Sequence, residues 1–362
     1  MPVTISGDTG IVTPMYNGSI TANAVTPSVN MKNRIINGNM SIDQRNAGAS
    51  VTPTNGSYTL DRWYTGLSQT SKLTIQQNAG SVTPPAGFTN YLGITSSSAY
   101  SVISTDYFYV MQVIEGFNTA DLAWGTANAK TVTVSFWVRS SLTGTFSGVL
   151  QNYNSDRSYP FTYTISSANT WEQKSVTIAG DTTGTWFTNN SGGICLLFSV
   201  GAGSSRSGTA GAWAGSAFYA ATGATSVVGT NGATWYITGV QLEVGSTATS
   251  FDYRPYGTEL ALCERYFQAF YGNGTSSLGG MGARINAPGA GSGIQANIPL
   301  KVTMRTAASG TRVGTWTVTN CGQPSMYSDA EILYVYSSAN ASGDVFFYTG
   351  SSTVGVTVSA EL

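Results

Sequence analysis

The chain has 362 residues, of which 41% are apolar and only 9% charged, against roughly 25% charged in ordinary soluble domains. Sixteen basic residues against seventeen acidic ones leave a net charge of −1, which excludes the polybasic surface that nucleic-acid binding or membrane adhesion requires. Histidine is absent, which excludes Ser-His-Asp and Cys-His catalysis in their usual form and removes the commonest metal ligand.

The polar character comes from Ser, Thr, Asn, Gln and 43 Gly, residues of turns and, for Thr, of strands. The length suggests two or three domains. The opening residues Met1-Pro2-Val3-Thr4-Ile5 carry neither a basic nor an apolar leader segment. The longest dense apolar run, Ile194 to Val200, is far short of the ~20 residues of a spanning helix. The expectation is a chain made in a cytoplasm, without membrane insertion, that works outside only if carried on a particle or released by lysis.

Residues 1–31 are expected to be an arm. Gly7, Gly10, Pro14, Gly18 and Pro27 interrupt short apolar pieces, so the segment orders only against a partner. Residues 32–256 are expected to form one large β-domain. Its clearest strand is Thr131–Arg139, with Val132, Val134, Phe136 and Val138 on one face and Thr131, Thr133, Ser135, Trp137 and Arg139 on the other. Ser175–Ile178 alternates in the same way. Ile194–Phe198 is continuously apolar, as in a central strand covered on both sides, and Trp235–Val244 is a late strand. Many short strands with frequent turns predict a jelly roll or β-sandwich.

A short helix is expected within 257–274. Leu260, Cys263, Phe267 and Phe270 recur at helical spacing, Thr258 can act as N-cap, and Gly272 and Gly274 end it. Residues 275–362 are expected to form a smaller C-terminal β-sandwich with strands at 295–302, 312–318, 332–336, 345–348 and 354–359. Cys195, Cys263 and Cys321 are odd in number and far apart. They predict buried free thiols rather than disulfides or a zinc site. The fold class is therefore all-β, two β-domains joined by one helix behind an N-terminal arm.

Several blocks carry a resemblance. Asn33-Arg34-Ile35-Ile36-Asn37-Gly38-Asn39-Met40-Ser41-Ile42-Asp43-Gln44-Arg45, Asp61-Arg62-Trp63, Val240-Gln241-Leu242-Glu243-Val244-Gly245 and Glu259-Leu260-Ala261-Leu262-Cys263-Glu264-Arg265-Tyr266-Phe267 resemble the domain of bacteriophage tail-fibre and other virion structural proteins. The resemblance covers residues 32–270 and, more weakly, the remainder. It implies a jelly roll like those of carbohydrate-binding modules, a place on the virion, and attachment to a host-surface glycan. It also implies homotrimers. The Val3-Thr4-Ile5-Ser6-Gly7 segment is similar to arms that anchor cyanophage-type fibres, which makes other virion proteins the expected partners of residues 1–31. No long shaft is encoded, so a compact knob fits as well as a fibre.

No catalytic residue is assigned, because the carboxylates form no recognisable spaced pair of the glycosidase kind. Sugar binding needs an aromatic platform for the apolar face of a pyranose, with amides, carboxylates or Arg for its hydroxyls. Trp137 and Arg139, on an otherwise polar strand face, fit that description. Tyr153, Asn154 and Arg157 follow in the chain, and Trp124, Trp186, Trp213 and Tyr219 occupy Gly- and Ser-rich stretches that can form rim loops. Packing under a loop or against another subunit is the competing role for each Trp. Trp63 is expected to be structural, with Arg62 paired to Asp61 or Glu243. Asp43 and Glu243 are candidate ligands of a structural calcium ion. No other cofactor is expected. A purely structural capsid or tail decoration protein and a polysaccharide depolymerase remain the alternatives.

Overall fold

The structure is a computed structural model that describes residues 4–6, 10–12, 31–272 and 281–362. The chain divides into two compact units, 1–32 and 33–362. Most of the expected arm lies outside the described residues. Within it, β1 (Thr4–Ser6) and β2 (Gly10–Val12) pair antiparallel, Thr4 opposite Val12.

Among its described residues the second unit is all-β apart from one α-helix and short 3-10 turns. Its first part is a jelly-roll sandwich of β3 (Ser57–Leu60), β4 (Trp63–Leu67), β5 (Leu73–Gln77), β6 (Leu92–Ser96), β7 (Tyr107–Glu115), β8 (Val132–Ser140), β9 (Gly144–Asn152), β10 (Ser158–Ile165), β11 (Glu172–Ile178), β12 (Gly192–Ala202), the short pair β13 (Ser207–Gly208) and β14 (Ala220–Ala221), and β15 (Thr234–Val244). One sheet runs β10-β9-β12-β7-β4-β3 and the facing sheet β11-β8-β15-β6-β5. The core between them follows from period-two alternation. Val132, Val134, Phe136 and Val138 of β8 meet Phe146, Phe161 and Phe198 of the opposite sheet there. The apolar run 194–198 is the middle of β12, flanked by β9 and β7 and buried on both faces, as its unbroken hydrophobicity predicts. Trp63 is fully buried, and its indole N–H donates to the Asn37 carbonyl at 3.1 Å.

The helix differs from expectation. α1 spans Tyr256–Glu264, the residue before it is Pro255, and no side chain caps it. Phe267 and Phe270 are not on its face. They belong to β16 (Phe267–Tyr271), which pairs with the last strand. Helical spacing was present, but pairing the 267–271 backbone with a strand almost ninety residues later decides the conformation. The second part of the unit adds β17 (Gly282–Ala287), β18 (Gly293–Pro299), β19 (Ser309–Val313), β20 (Thr317–Thr319), β21 (Ser325–Ser328), β22 (Ile332–Ser338), β23 (Gly343–Tyr348) and β24 (Gly355–Ser359). They form three-stranded sheets β16-β24-β19, β17-β23-β20 and β18-β22-β21 around a core of Trp316, Leu333, Val335, Phe347, Val356 and Val358. The single strand expected at 312–318 is two, broken where Gly314 takes a φ of 71°.

Arg62 corrects a second expectation. It is 1% exposed and pairs with neither Asp61 nor Glu243 but with Glu361. Asp61 already accepts hydrogen bonds from the Gln44 backbone N–H (2.7 Å) and side-chain amide (2.8 Å). Arg62 instead lies 3.5 Å from the Tyr266 ring centroid, and residues just beyond β24 bring Glu361 to it. Arg45 binds the other Glu361 oxygen at 2.7 Å. This charge cluster clamps the two cores together, along with Arg265, which is bonded to Glu115 through both carboxylate oxygens (2.9 and 2.7 Å).

Candidate functional site

With the even positions of β8 in the core, Thr133, Ser135, Trp137 and Arg139 lie on the outer face of the five-stranded sheet. Trp137 stands opposite Gln173 of β11 and Thr238 of β15, so these three side chains are cross-strand neighbours. β15 shifts register between Thr238 and Gln241, and Gly239 takes a φ of 62° inside that bulge. A Cβ at Gly239 would lie 2.6 Å from Phe88 Cζ and 3.2 Å from Trp137 Cδ1. Glycine therefore supplies both the left-handed conformation and the room for two rings to lie against the backbone.

Trp137 differs from the other seven tryptophans in one respect. A buried indole N–H normally finds an acceptor, and those of Trp63, Trp124, Trp171, Trp186, Trp213, Trp235 and Trp316 all do. Trp137 is half-buried, and among the described residues its N–H has no acceptor and is not a buried unpaired atom. It therefore faces solvent beside the ring. Two residues along the strand, Arg139 donates through Nε to the Asn169 carbonyl (3.0 Å) and lies 5.5 Å from the Tyr236 centroid. That single bond fixes the guanidinium and leaves its terminal nitrogens without a partner among the described residues.

A groove of about 400 Å³ opens on the same edge, lined by Gln173, Lys174, Ser175, Ala248, Thr249 and Ser250. This is within the range of small-ligand sites, roughly 300–1,000 Å³. Its two walls are held by carboxylates. Glu243 accepts the Thr249 N–H (2.9 Å), the Thr249 hydroxyl (2.6 Å) and the Gln241 amide (2.8 Å). Glu172 binds Lys174 at 2.6 Å. Partial burial raises the Glu172 pKa, but Lys174 and the N–H groups of Ser166 and Ser167 outweigh it and hold the carboxyl below its usual range. The lining is thus amide, hydroxyl and one neutralised lysine, and the Trp137 indole stands one strand over, opposite Gln173. Such a set can stack an apolar ring face and exchange hydrogen bonds with hydroxyl groups.

The other expected residues lie elsewhere. Trp124, Trp186 and Trp213 come together with one another, at centroid separations of 4.7, 5.5 and 5.5 Å, all edge-to-face. Their N–H groups donate to the carbonyls of Lys130, Thr183 and Ala179, so the geometry gives them a packing role at one end of the sandwich. Arg157 is bonded to both oxygens of Asp181 (2.6 and 2.9 Å). Burial pushes the Asp181 pKa up, but Arg157 and Thr183 more than reverse it. Tyr153 is 41% exposed and edge-on to Phe187 at the rim of the six-stranded sheet.

The outer face of that six-stranded sheet holds what the sequence reading missed. Tyr109, Met111, Val113, Val149, Cys195 and Leu197 form a buried floor, against which Tyr64, Tyr107, Tyr219 and Leu362 pack. Tyr219 lies 5.0 Å from Tyr109 and 5.1 Å from Tyr107. The alternation Tyr107, Tyr109, Met111, Val113 was available as a signal. The floor is closed by the protein's own side chains, so the face is a third packing layer.

Asp43 and Glu243, the expected calcium ligands, each hold a turn of their own. Asp43 accepts the N–H groups of Asn46 (2.9 Å) and Gly48 (2.7 Å), while Glu243 braces the 249 loop. The two carboxylates are committed to different local turns, and among the described residues no group of three or more Cys, Asp or Glu side chains is placed to hold a metal.

No family model matches this chain. No curated protein matches it. Among solved structures it is similar to a bacteriophage CBA120 tailspike protein 4 enzymatically active domain, at 12% identity over 54% of this chain and 21% of that one, with a TM-score of 0.31. It is similar to TmCBM61 in complex with β-1,4-galactotriose, at 11% identity over 59% of this chain and 99% of that one, TM-score 0.30. It is also similar to a putative sugar binding protein from Bacteroides thetaiotaomicron VPI-5482, at 13% identity over 59% and 100%, TM-score 0.35. The matched stretch spans about a fifth of the tailspike domain.

Proposed function

We propose that this chain is a non-enzymatic bacteriophage virion protein, a tail fibre or fibre-like appendage, that attaches to a host-surface glycan through the groove beside Trp137. The observation that supports the reading is the Trp137 indole, the one tryptophan whose N–H has no acceptor in the described protein, on the strand position opposite Gln173, which lines an open groove of amide and hydroxyl groups. A pyranose stacks its C–H face on the indole. Its hydroxyls bond to the indole N–H, Gln173, Ser175 and the terminal nitrogens of Arg139. Residues 1–31 anchor the chain to other virion proteins, and a homotrimer presents three such grooves. Linked weak sites then give tight attachment without any one tight site.

The test is retention of the purified chain on host capsule and lipopolysaccharide, with Trp137→Ala beside it and reducing-sugar release measured in the same samples. Retention lost in the variant supports the reading. Retention unchanged by Trp137→Ala sinks the groove, and release of sugar sinks the non-enzymatic role.

A further inference from the structure

We propose that the C-terminal domain carries a second saccharide-binding face, on the outside of the β18-β22-β21 sheet, that takes a neutral pyranose. The inference goes beyond the Trp137 groove and does not depend on it.

Register and alternation build this face. Gln295 stands opposite Tyr336, and Tyr336 opposite Ser325; one row on, Asn297 stands opposite Tyr334, and Tyr334 opposite Tyr327. The intervening residues Leu333, Val335 and Ile294 are buried in the core, so these partners all point outward. Tyr327 and Tyr336 are 50% and 41% exposed. They are adjacent, whereas most of the other exposed large apolar side chains are scattered singly.

The rings form a corner. Tyr327 stacks on Tyr334 at 4.6 Å and 14°, and Tyr336 meets Tyr327 edge-on at 5.7 Å and 68°. One side of Tyr327 is used by Tyr334, and about half of Tyr327 and two fifths of Tyr336 remain exposed. The corner is braced from behind. Asp329 accepts the Tyr334 hydroxyl (3.0 Å) and the N–H groups of Glu331 (2.7 Å) and Ile332 (2.6 Å). Gln295 and Asn297 are bonded to each other at 2.5 Å, which presents an ordered amide pair beside the rings. The Tyr327 and Tyr336 hydroxyls have no partner among the described residues.

The occupant follows from this chemistry. Neither Lys nor Arg occupies any outward position of the three strands, so phosphate, nucleic acid and acidic peptide find no counter-charge. Flat rings flanked by amides and free phenols suit a ligand with one apolar ring face and a rim of hydroxyls.

The experiment uses the full chain in affinity gels containing a neutral glucan, xylan, galactan or mannan, with wild type, Tyr327→Ala/Tyr336→Ala, Tyr336→Phe and Trp137→Ala compared. The tyrosines are exposed, so the double variant keeps its thermal midpoint. The expected result is roughly tenfold weaker retention of the double variant, the scale of losing an aromatic anchor, with Tyr336→Phe losing less. Loss in the tyrosine variant but not in Trp137→Ala supports this face while the groove fails. Loss in Trp137→Ala alone overturns this face and leaves the groove. Loss in both supports two sites. No retention of wild type by any of the four polymers overturns this face. A changed oligomeric state of the double variant by light scattering, with retention intact, also overturns it and makes the face a contact between copies.

Discussion

Replacing Trp137 tests the groove most directly. A pyranose laid on the open side of the indole covers roughly 60 Å², about a third of what a tryptophan can bury. At about 25 cal/mol per Å² this is worth about 1.5 kcal/mol. The hydrogen bond to the indole N–H adds about 1 kcal/mol. Trp137→Ala should therefore weaken a bound oligosaccharide by about 2.5 kcal/mol, or about 60-fold per site. Trp137→Phe keeps a smaller ring and loses the N–H, at least about fivefold by the same conversion. Because Trp137 lies outside both cores, neither change should move the urea midpoint much. Isothermal titration with whichever polysaccharide the wild type retains reads the two values. Equal affinity of all three proteins, or a Phe variant as weak as the Ala variant, would refute the reasoning.

Glu361→Ala leaves Arg62 buried without its carboxylate, so urea unfolding should show a loss of about 3–5 kcal/mol and, if the clamp joins the domains, two transitions in place of one. Glu115 is pushed up by burial but pulled below its ordinary 4.5 by Arg265 and Tyr266. Its contribution is complete above that value and disappears as pH falls through the lower folded value. Arg265→Gln should accordingly raise the midpoint of acid unfolding; an unchanged midpoint excludes the pair as a source of acid stability. All three cysteines are buried and free, with burial pushing Cys195 up to about 12 and Cys263 well above its usual value. A thiol reagent at pH 8 should label none of them before denaturation and all three after it. Gly239→Ala should cost about 1–2 kcal/mol from its left-handed φ alone and shift Trp137 fluorescence, since the new methyl meets Phe88.

The readable parts of this protein were those where one segment's pattern decides its fate. Val132 to Val138 alternates, and its apolar positions face the core. Residues 194–198 do not alternate, and they are buried on both faces. The polar face with a single indole, at Trp137, could also be read from β8 alone. Segments 257–264 and 267–271 have the same helical spacing, yet only the first is a helix, because β24 offers the second a backbone partner.

What the sequence determined by itself was the all-β class, the main sandwich strands and the unusual position of Trp137, because alternation at period two is local information. The tertiary structure alone decided that Gln173 and Ser250 line one groove, that Arg62 finds Glu361 and not its neighbour Asp61, and that Tyr327 and Tyr336 form a corner. Those outcomes depend on which strands become neighbours. Register and sheet order are set by the packing of the whole core, and no window of the chain contains them.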